Sequence, residues 1–392
     1  MISPHTFSNI TDWLENSINS NKLPFGKITV SQNNNIIFSE FREKNLDDYA
    51  DNNLYRIQSL TKPVTSIVAL IILEKFGIDI NEPIKSIIND FSNLKVLSEG
   101  KFENANNDIT FEHLLTHTSG LTYGFNYSNK SILRGNTDAD EIYRKSGLLG
   151  KIQNSSITSD EFIEIISSLP LAYHPGSRWN YGFSTDLLGV LLEKICNKSL
   201  NDIFRDELFI HLDMNDTFFP DQYTENLIPT FKLTIPSGFK IINGSDKVKN
   251  PKYFSSGGGG LISSPEDYHK FCNFILDPNH ELLQIAQIDK LKTNQISGDL
   301  NYLSDGMNFF DFTFAGPGMG FTYGFSIIDN PDLLNYKSTS QILSWGGSSN
   351  TIVWLDQKNN FVFSMFSQLI PFGYYSYKKE LMNLIYSDLN FI

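Results

Sequence analysis

Cysteine is scarce: the 392-residue chain holds two, Cys196 and Cys272. That excludes a disulfide framework. Each lies in an apolar stretch with helical spacing, so both read as buried thiols rather than as partners in a bridge. Positive charge is also in deficit. Lys and Arg total 31 against 44 Asp and Glu, a formal charge of -13, which excludes the basic stripe that a nucleic-acid surface requires. The acidity gives no special reason to expect an anionic substrate. Long apolar runs are missing as well. The longest, Ile67 to Leu73, is far too short to span a bilayer. The first residues, "MISPHTFSNITDWLENSINS", lack the basic start and apolar stretch of a secretory signal. No internal repeat and no long low-complexity tract occurs. The expectation is a soluble cytoplasmic protein that binds neither nucleic acid nor membrane.

What is present suits a folded enzyme-sized chain. Hydrophobic residues make up 40% and charged residues 19%, enough for a sizeable core. The length allows two domains or one large one. Residues 5–21 pattern as an amphipathic helix with Phe7, Ile10, Leu14 and Ile18 on one stripe. "KITV" and "IIFSEF", separated by "SQNNN", predict a hairpin. A helix follows from about Ser59 to Phe76, with Gly77 as its stop. Further helices are expected from Thr158, with Glu161 completing a capping box; from Ser184 to Cys196, with Leu187, Leu188, Leu191, Leu192 and Ile195 facing inward; and after Ser264, with Pro265 in the first turn. "TYGFSII", "TIVWLD" and "FVFSMFS" read as strands, and residues 376–388 as a closing helix. Strands at both ends and helices between them indicate an α+β fold. The expected division is a discontinuous sheet domain, 1–80 with 251–392, and a mostly helical domain, 81–250, with the active site between them.

The chemistry-bearing candidate is "SLTK" at 59–62. The pattern S-x-x-K alone is loose and occurs five times, from Ser59, Ser92, Ser98, Ser237 and Ser376. Only Ser59 heads a long apolar helix. Lys62, three residues on, shares its face. A helix N-terminus favours negative charge on the serine oxygen, and burial lowers a lysine pKa so that it accepts a proton. Pro63 fits among the first helical positions, where no backbone N–H is needed, although it disfavours helical geometry at Lys62. The other reading of this stretch is a helix start with a solvated charge.

Two further segments add weight. In "HPGSRWNYGFSTDLLG", Tyr181 sits in a loop before a helix, where a phenol near a lysine serves as a proton shuttle; a core tyrosine is the alternative. In "ILSWGGSSNTIVWLD", Gly346 and Gly347 allow close backbone approach to a ligand. The backbone N–H of Ser348, with that of Ser59, would form an oxyanion hole. A hairpin or bulge glycine pair is the alternative there.

Taken in order, "SLTK", "YGF" and "WGG", with "HLLTHTSGL" at 113–121 and "SSGGGGLISSPEDYHKF" at 255–271, resemble the serine β-lactamase and penicillin-binding-protein superfamily. The similarity is to its class C-like branch, which includes the family VIII carboxylesterases and related acyltransferases. It extends from about residue 20 to the C-terminus. It implies an antiparallel sheet flanked by helices, with a mostly helical second domain. It implies Ser59 as the acylated nucleophile, Lys62 and Tyr181 sharing the acid and base work, and two-step acyl transfer without metal or organic cofactor.

Two positions depart from the penicillin-recognising members. Phe183 stands where they carry a side-chain amide, and Trp345 where they carry a lysine. Losing that cation removes a charge-assisted partner worth about 1.5–3 kcal/mol to a substrate carboxylate. A neutral ester or small amide is therefore expected, with Phe183, Trp345, Gly346 and Gly347 lining its site. A carboxylesterase-like serine hydrolase comes first. An acyltransferase using the same acyl-serine is the rival. A β-lactamase, a D-amino-acid peptidase, or a noncatalytic binding protein on this fold follows. Other signals read as structural. His113 and His117 have metal-pair spacing but no following Glu. "GGGG" at 257–260 lacks the Lys-Ser/Thr of a phosphate loop and lets backbone pass near the site or packs a turn. "AGPGMG" at 315–320 is a connector or a loop lining the cleft. The polar stretch 130–156 reads as irregular, either a cap or a surface loop.

Overall fold

The computed structural model describes residues 7–44, 53–125, 137–154, 156–220, 224, 226–234, 238–243, 254–277, 281–283, 285–296, 308–309, 312–313, 316–375 and 377–389. Helix α1 (Ser8–Asn19) buries Ile10, Leu14 and Ile18, and Phe7 is buried just before it. Strands β1 (Phe25–Gln32) and β2 (Asn35–Glu43) form the expected hairpin. Its two turn residues, Asn33 and Asn34, both take positive φ, 50° and 63°. Asparagine tolerates that conformation, which matches the twist of a tight hairpin.

The chain returns to this hairpin at its far end. Strands β3 (Met319–Phe321), β4 (Ser326–Ile328), β5 (Ile342–Gly347), β6 (Thr351–Asp356) and β7 (Phe361–Phe366) complete a seven-stranded sheet in the order β3-β4-β5-β6-β7-β1-β2. Every neighbouring pair is antiparallel. Residues of β5, β6 and β7 are buried throughout, as expected of strands covered on both faces.

The register sorts the two faces. Ser344, Trp354, Phe363 and Val30 lie in one row, and Ser344 receives the ammonium of Lys378 from the C-terminal helix Tyr377–Asp388. Trp345, Val353, Ser364 and Thr29 lie in the adjacent row and face the other way. There Ser364 bonds the ring of His269 on helix Pro265–Leu276. Ser264 and Pro265 begin that helix as the sequence indicates.

Helix α2 (Thr61–Phe76) is buried from Thr61 to Leu73, which accounts for its lack of a polar face. Gly77, at φ 64°, ends it; Ile78 N–H bonds Leu73 O across the left-handed cap. Helix α3 (Phe111–Leu115) precedes the "THTSGL" segment. One expectation needs correcting. The stretch 130–156, read as irregular, holds two helices among its described residues, α4 (Asp138–Ser146) and α5 (Leu148–Gln153). Their shortness and the Gly147 between them hide the periodicity, and the Thr137/Asp140 capping box went unread. Residues 130–136 and 155 lie outside the described residues. Helices α6 (Ser159–Ser168) and α7 (Ser184–Cys196) match expectation, with the Thr158/Glu161 box in place. Ile195 and Cys196 are half-buried rather than inward, because the last turn of α7 emerges from the core; both cysteines are free thiols and Cys272 is buried. Among the described residues no helix is long and apolar enough to cross a membrane.

Candidate active site

Ser59 sits in a 3₁₀ turn, Gln58–Leu60, that runs directly into α2. The residue before it, Gln58, takes φ 50°, a sparsely populated conformation for a side-chain-bearing residue. Neighbours hold it there. Ile57 N–H bonds Leu261 O, and the Tyr268 hydroxyl donates to Leu60 O at 2.8 Å. Ser59 itself is half-buried.

Lys62 lies one turn further and is buried, with 1% of its surface exposed. The helix accommodates Pro63 in its first turn despite the local penalty at Lys62. The ammonium is 2.5 Å from Gly258 O and 3.4 Å from Ser59 Oγ. It also lies over two rings, 4.7 Å from the Tyr181 centroid and 5.3 Å from that of Tyr123. Burial pushes its pKa down to about 8, against an opposing pull from the negative charge of Asp186.

Tyr181 comes from the loop before α7, and its hydroxyl is 2.8 Å from Ser59 Oγ. The "THTSGL" phrase holds this loop. Asn180 N–H bonds His117 O, the Asn180 amide donates to Leu121 O, and Ser119 and Ser184 pair through their hydroxyls. Gly182 passes so close that a Cβ there would lie 2.4 Å from Leu121 O. Ser59, Lys62 and Tyr181 are thus brought together from two distant segments.

The third segment arrives on β5. Trp345 is buried and meets Tyr181 edge-on at 5.7 Å and Phe321 at 5.4 Å. Gly347 abuts the nucleophile turn: a Cβ there would lie 2.4 Å from Ile57 O and 2.3 Å from Thr351 Oγ1. Gly346 is buried beside it, and Ser348 is exposed in the turn that follows. Phe183 is buried against Tyr123, Tyr143 and Phe162. Tyr123 separates its contacts from the Lys62 ammonium.

The glycine run 257–260 lies along the first turns of α2. Gly257 O accepts from Thr65, Gly258 O from Lys62, and Leu261 N–H donates to Thr61 Oγ1. A Cβ on Gly257 would lie 2.5 Å from Thr185 O, and one on Gly258 2.3 Å from Asp186 Oδ2. Only glycine fits both approaches. Of "AGPGMG", Ala315 lies outside the described residues; the segment leads into β3, whose Phe321 packs against His117 and Trp179.

Two participants escaped the sequence reading, Tyr123 and Asp186; His117 was noted only for its spacing from His113, and Gly258 only as part of a glycine run passing near the site or packing a turn. Tyr123 donates to Asp186 at 2.9 Å; burial first, then the Asp186 charge, pushes its pKa well above the usual phenol range. Asp186 is buried at the head of α7. An acid inside the otherwise uncharged run from Tyr181 to Leu192 was the signal available for it. His117, at φ 55°, has both ring nitrogens buried without a hydrogen-bond partner. Burial and the nearby Lys62 charge hold it neutral. His113 instead caps α3, its Nδ1 accepting Thr110 N–H.

This arrangement supplies a serine hydroxyl, a lysine poised near neutrality and a phenol within hydrogen-bond distance. Together these permit proton removal from Ser59 and return to a leaving group. The model of the family described as Beta-lactamase matches residues 25–385. The chain is 26% identical over 341 residues to "Acyltransferase calJ" of Penicillium decumbens, covering 81% of this chain and 76% of that one. It is 24% identical over 313 residues to "Esterase EstB" of Burkholderia gladioli, covering 76% and 72%. Its fold superposes on "EstCE1, a hydrolase with promiscuous acyltransferase activity" with a TM-score of 0.79 at 18% identity, over 97% of this chain and 98% of that one.

Proposed function

Because the chain belongs to the Beta-lactamase family, we propose that it is a carboxylesterase-like serine hydrolase that works through an acyl-enzyme on Ser59. The observation that carries this is the convergence of Tyr181 (2.8 Å) and Lys62 (3.4 Å) on one half-buried serine oxygen. In this reading Tyr181 donates to Oγ, leaving the Ser59 proton free to pass to neutral Lys62. Tyr181 then gives its proton to the departing alkoxide and is reprotonated from Lys62. Water reverses the sequence to release the acid. The backbone N–H groups of Ser59 and Ser348 hold the oxyanion. Ser59 and Lys62 come from the sheet-bearing part of the chain and Tyr181 from the helical part, so the site closes between the two.

The substrate is a neutral ester or a small amide. Trp345 offers an aromatic edge where a carboxylate would need a cation, so penicillins are poor substrates. Delivery of the acyl group to an alcohol is the second reading. It is favoured by the unbroken aromatic layer of Trp179, Tyr181, Phe321 and Trp345 at the site, which limits water on that side.

Intact-protein mass after brief exposure to p-nitrophenyl butyrate, and separately to a fluorophosphonate, tests the proposal. The expected result is one adduct on the wild type and none on Ser59→Ala. No adduct on either protein overturns it. Product partition between water and an added alcohol then separates hydrolysis from transfer.

A further inference from the structure

Resting on the catalytic reading above, we infer that Asp186 is the positioning residue for Lys62: it fixes the glycine loop that aims a carbonyl at the ammonium, and it supplies the balancing buried charge. The Asp186 carboxylate accepts three hydrogen bonds. Tyr123 Oη donates at 2.9 Å, Ser256 Oγ at 2.5 Å and Gly258 N–H at 3.2 Å. On its other side Gly258 offers its carbonyl to Lys62 Nζ at 2.5 Å. A single residue, Gly258, therefore bridges a buried anion and a buried cation, and the loop is glycine there because no Cβ fits at 257 or 258.

The arrangement answers two physical demands. A buried carboxylate requires donors, and three are present. A lysine stripped of water loses its proton too easily unless a negative charge opposes the loss. The groups facing Lys62 come from each surrounding segment: Ser59 on the 3₁₀ turn, Tyr181 before α7, Asp186 at its head, and His117 and Tyr123 from the stretch after α3. His117 is held neutral and Tyr123 is held protonated. Asp186 is thus the group that answers the lysine's charge.

A purely structural role would be to stitch α7 to the glycine loop. The pH dependence of Ser59 labelling separates the two roles. Rates of fluorophosphonate attachment would be followed by intact mass on wild type and Asp186→Asn across neutral and alkaline pH. The inflection belonging to Lys62 is expected near pH 8 in the wild type and lower by about one to two pH units in Asp186→Asn. A folded variant whose inflection stays at the wild-type position overturns the inference and leaves the catalytic reading intact. Absence of wild-type labelling removes both.

Circular dichroism melting reports whether Asp186→Asn folds. If it does not, Ser256→Ala decides. That change keeps the charge but strips one donor from it, so the inflection is expected to move up; an inflection that does not move overturns the inference.

Discussion

Lys62 lies nearer to a carbonyl than to the serine it would activate. Its ammonium is 2.5 Å from Gly258 O and 3.4 Å from Ser59 Oγ. A lysine free to swing would bond the hydroxyl directly. Here the main chain of the glycine run fixes the amine, and the Tyr181 hydroxyl takes the shorter contact to Ser59. In the proposed mechanism this geometry divides acid and base work between two groups.

That division predicts a rate that rises with pH. Only neutral Lys62 accepts a proton, and burial has brought its pKa down to about 8. Ester hydrolysis should climb as pH rises through that value and level off above it. Lys62→Arg keeps the positive charge but cannot deprotonate, so activity should fall by roughly 10²–10⁴. Steady-state rates across pH check this. Retained activity in Lys62→Arg would show that charge alone suffices.

Tyr181→Phe removes the hydroxyl at 2.8 Å and keeps the ring contacts with Trp179 and Trp345. The fold should survive, while kcat falls by roughly 10²–10⁴. A melting curve with kcat and KM measured in parallel distinguishes loss of proton transfer from loss of packing. A rise in KM at constant kcat would point to binding instead.

Two glycines, one in the glycine run and one in a helix, predict opposite outcomes. A Cβ at Gly258 meets Asp186 Oδ2 at 2.3 Å and the Tyr123 hydroxyl at 2.8 Å. Gly258→Ala should destabilise by about 1–3 kcal/mol and remove Ser59 labelling with it. Gly150 lies within α5 with nothing near its would-be Cβ. Gly150→Ala should stabilise by about 0.5–1 kcal/mol and leave labelling unchanged. Denaturant melts of the two variants make the comparison.

The ordered elements were legible where periodicity or turn chemistry was strong. The Asn33–Asn34 hairpin, the Gly77 stop and the Ser264/Pro265 start all follow from single-residue conformational rules. Residue spacing and context brought Ser59, Lys62 and Tyr181 into view, the resemblance implied their roles, and the geometry draws those three together. What stayed hidden was the layer behind them. Asp186, Tyr123 and Gly258 act through hydrogen bonds between residues 63 to 196 positions apart in sequence, and no local pattern encodes such pairings. The helices α4 and α5 were missed for a different reason: a segment of two turns broken by Gly147 carries too few apolar repeats to register.

The other face of the sheet carries another buried lysine, and it predicts how stability varies with pH. Lys378, 2% exposed, donates to Ser344 Oγ at 2.9 Å. Burial lowers its pKa from 10.5 to about 7. Between those values the unfolded chain holds a proton that the folded chain does not, so unfolding free energy rises with pH across the window. Below about pH 7 both states are protonated and the full burial penalty remains, on the order of 5 kcal/mol. Lys378→Met removes the titration. Its stability gain over the wild type should therefore be largest near about pH 6 and shrink steadily toward about pH 10, as urea denaturation at each pH would show. A stability difference that stays constant over that range would mean that Lys378 is neutral throughout, or that water reaches it.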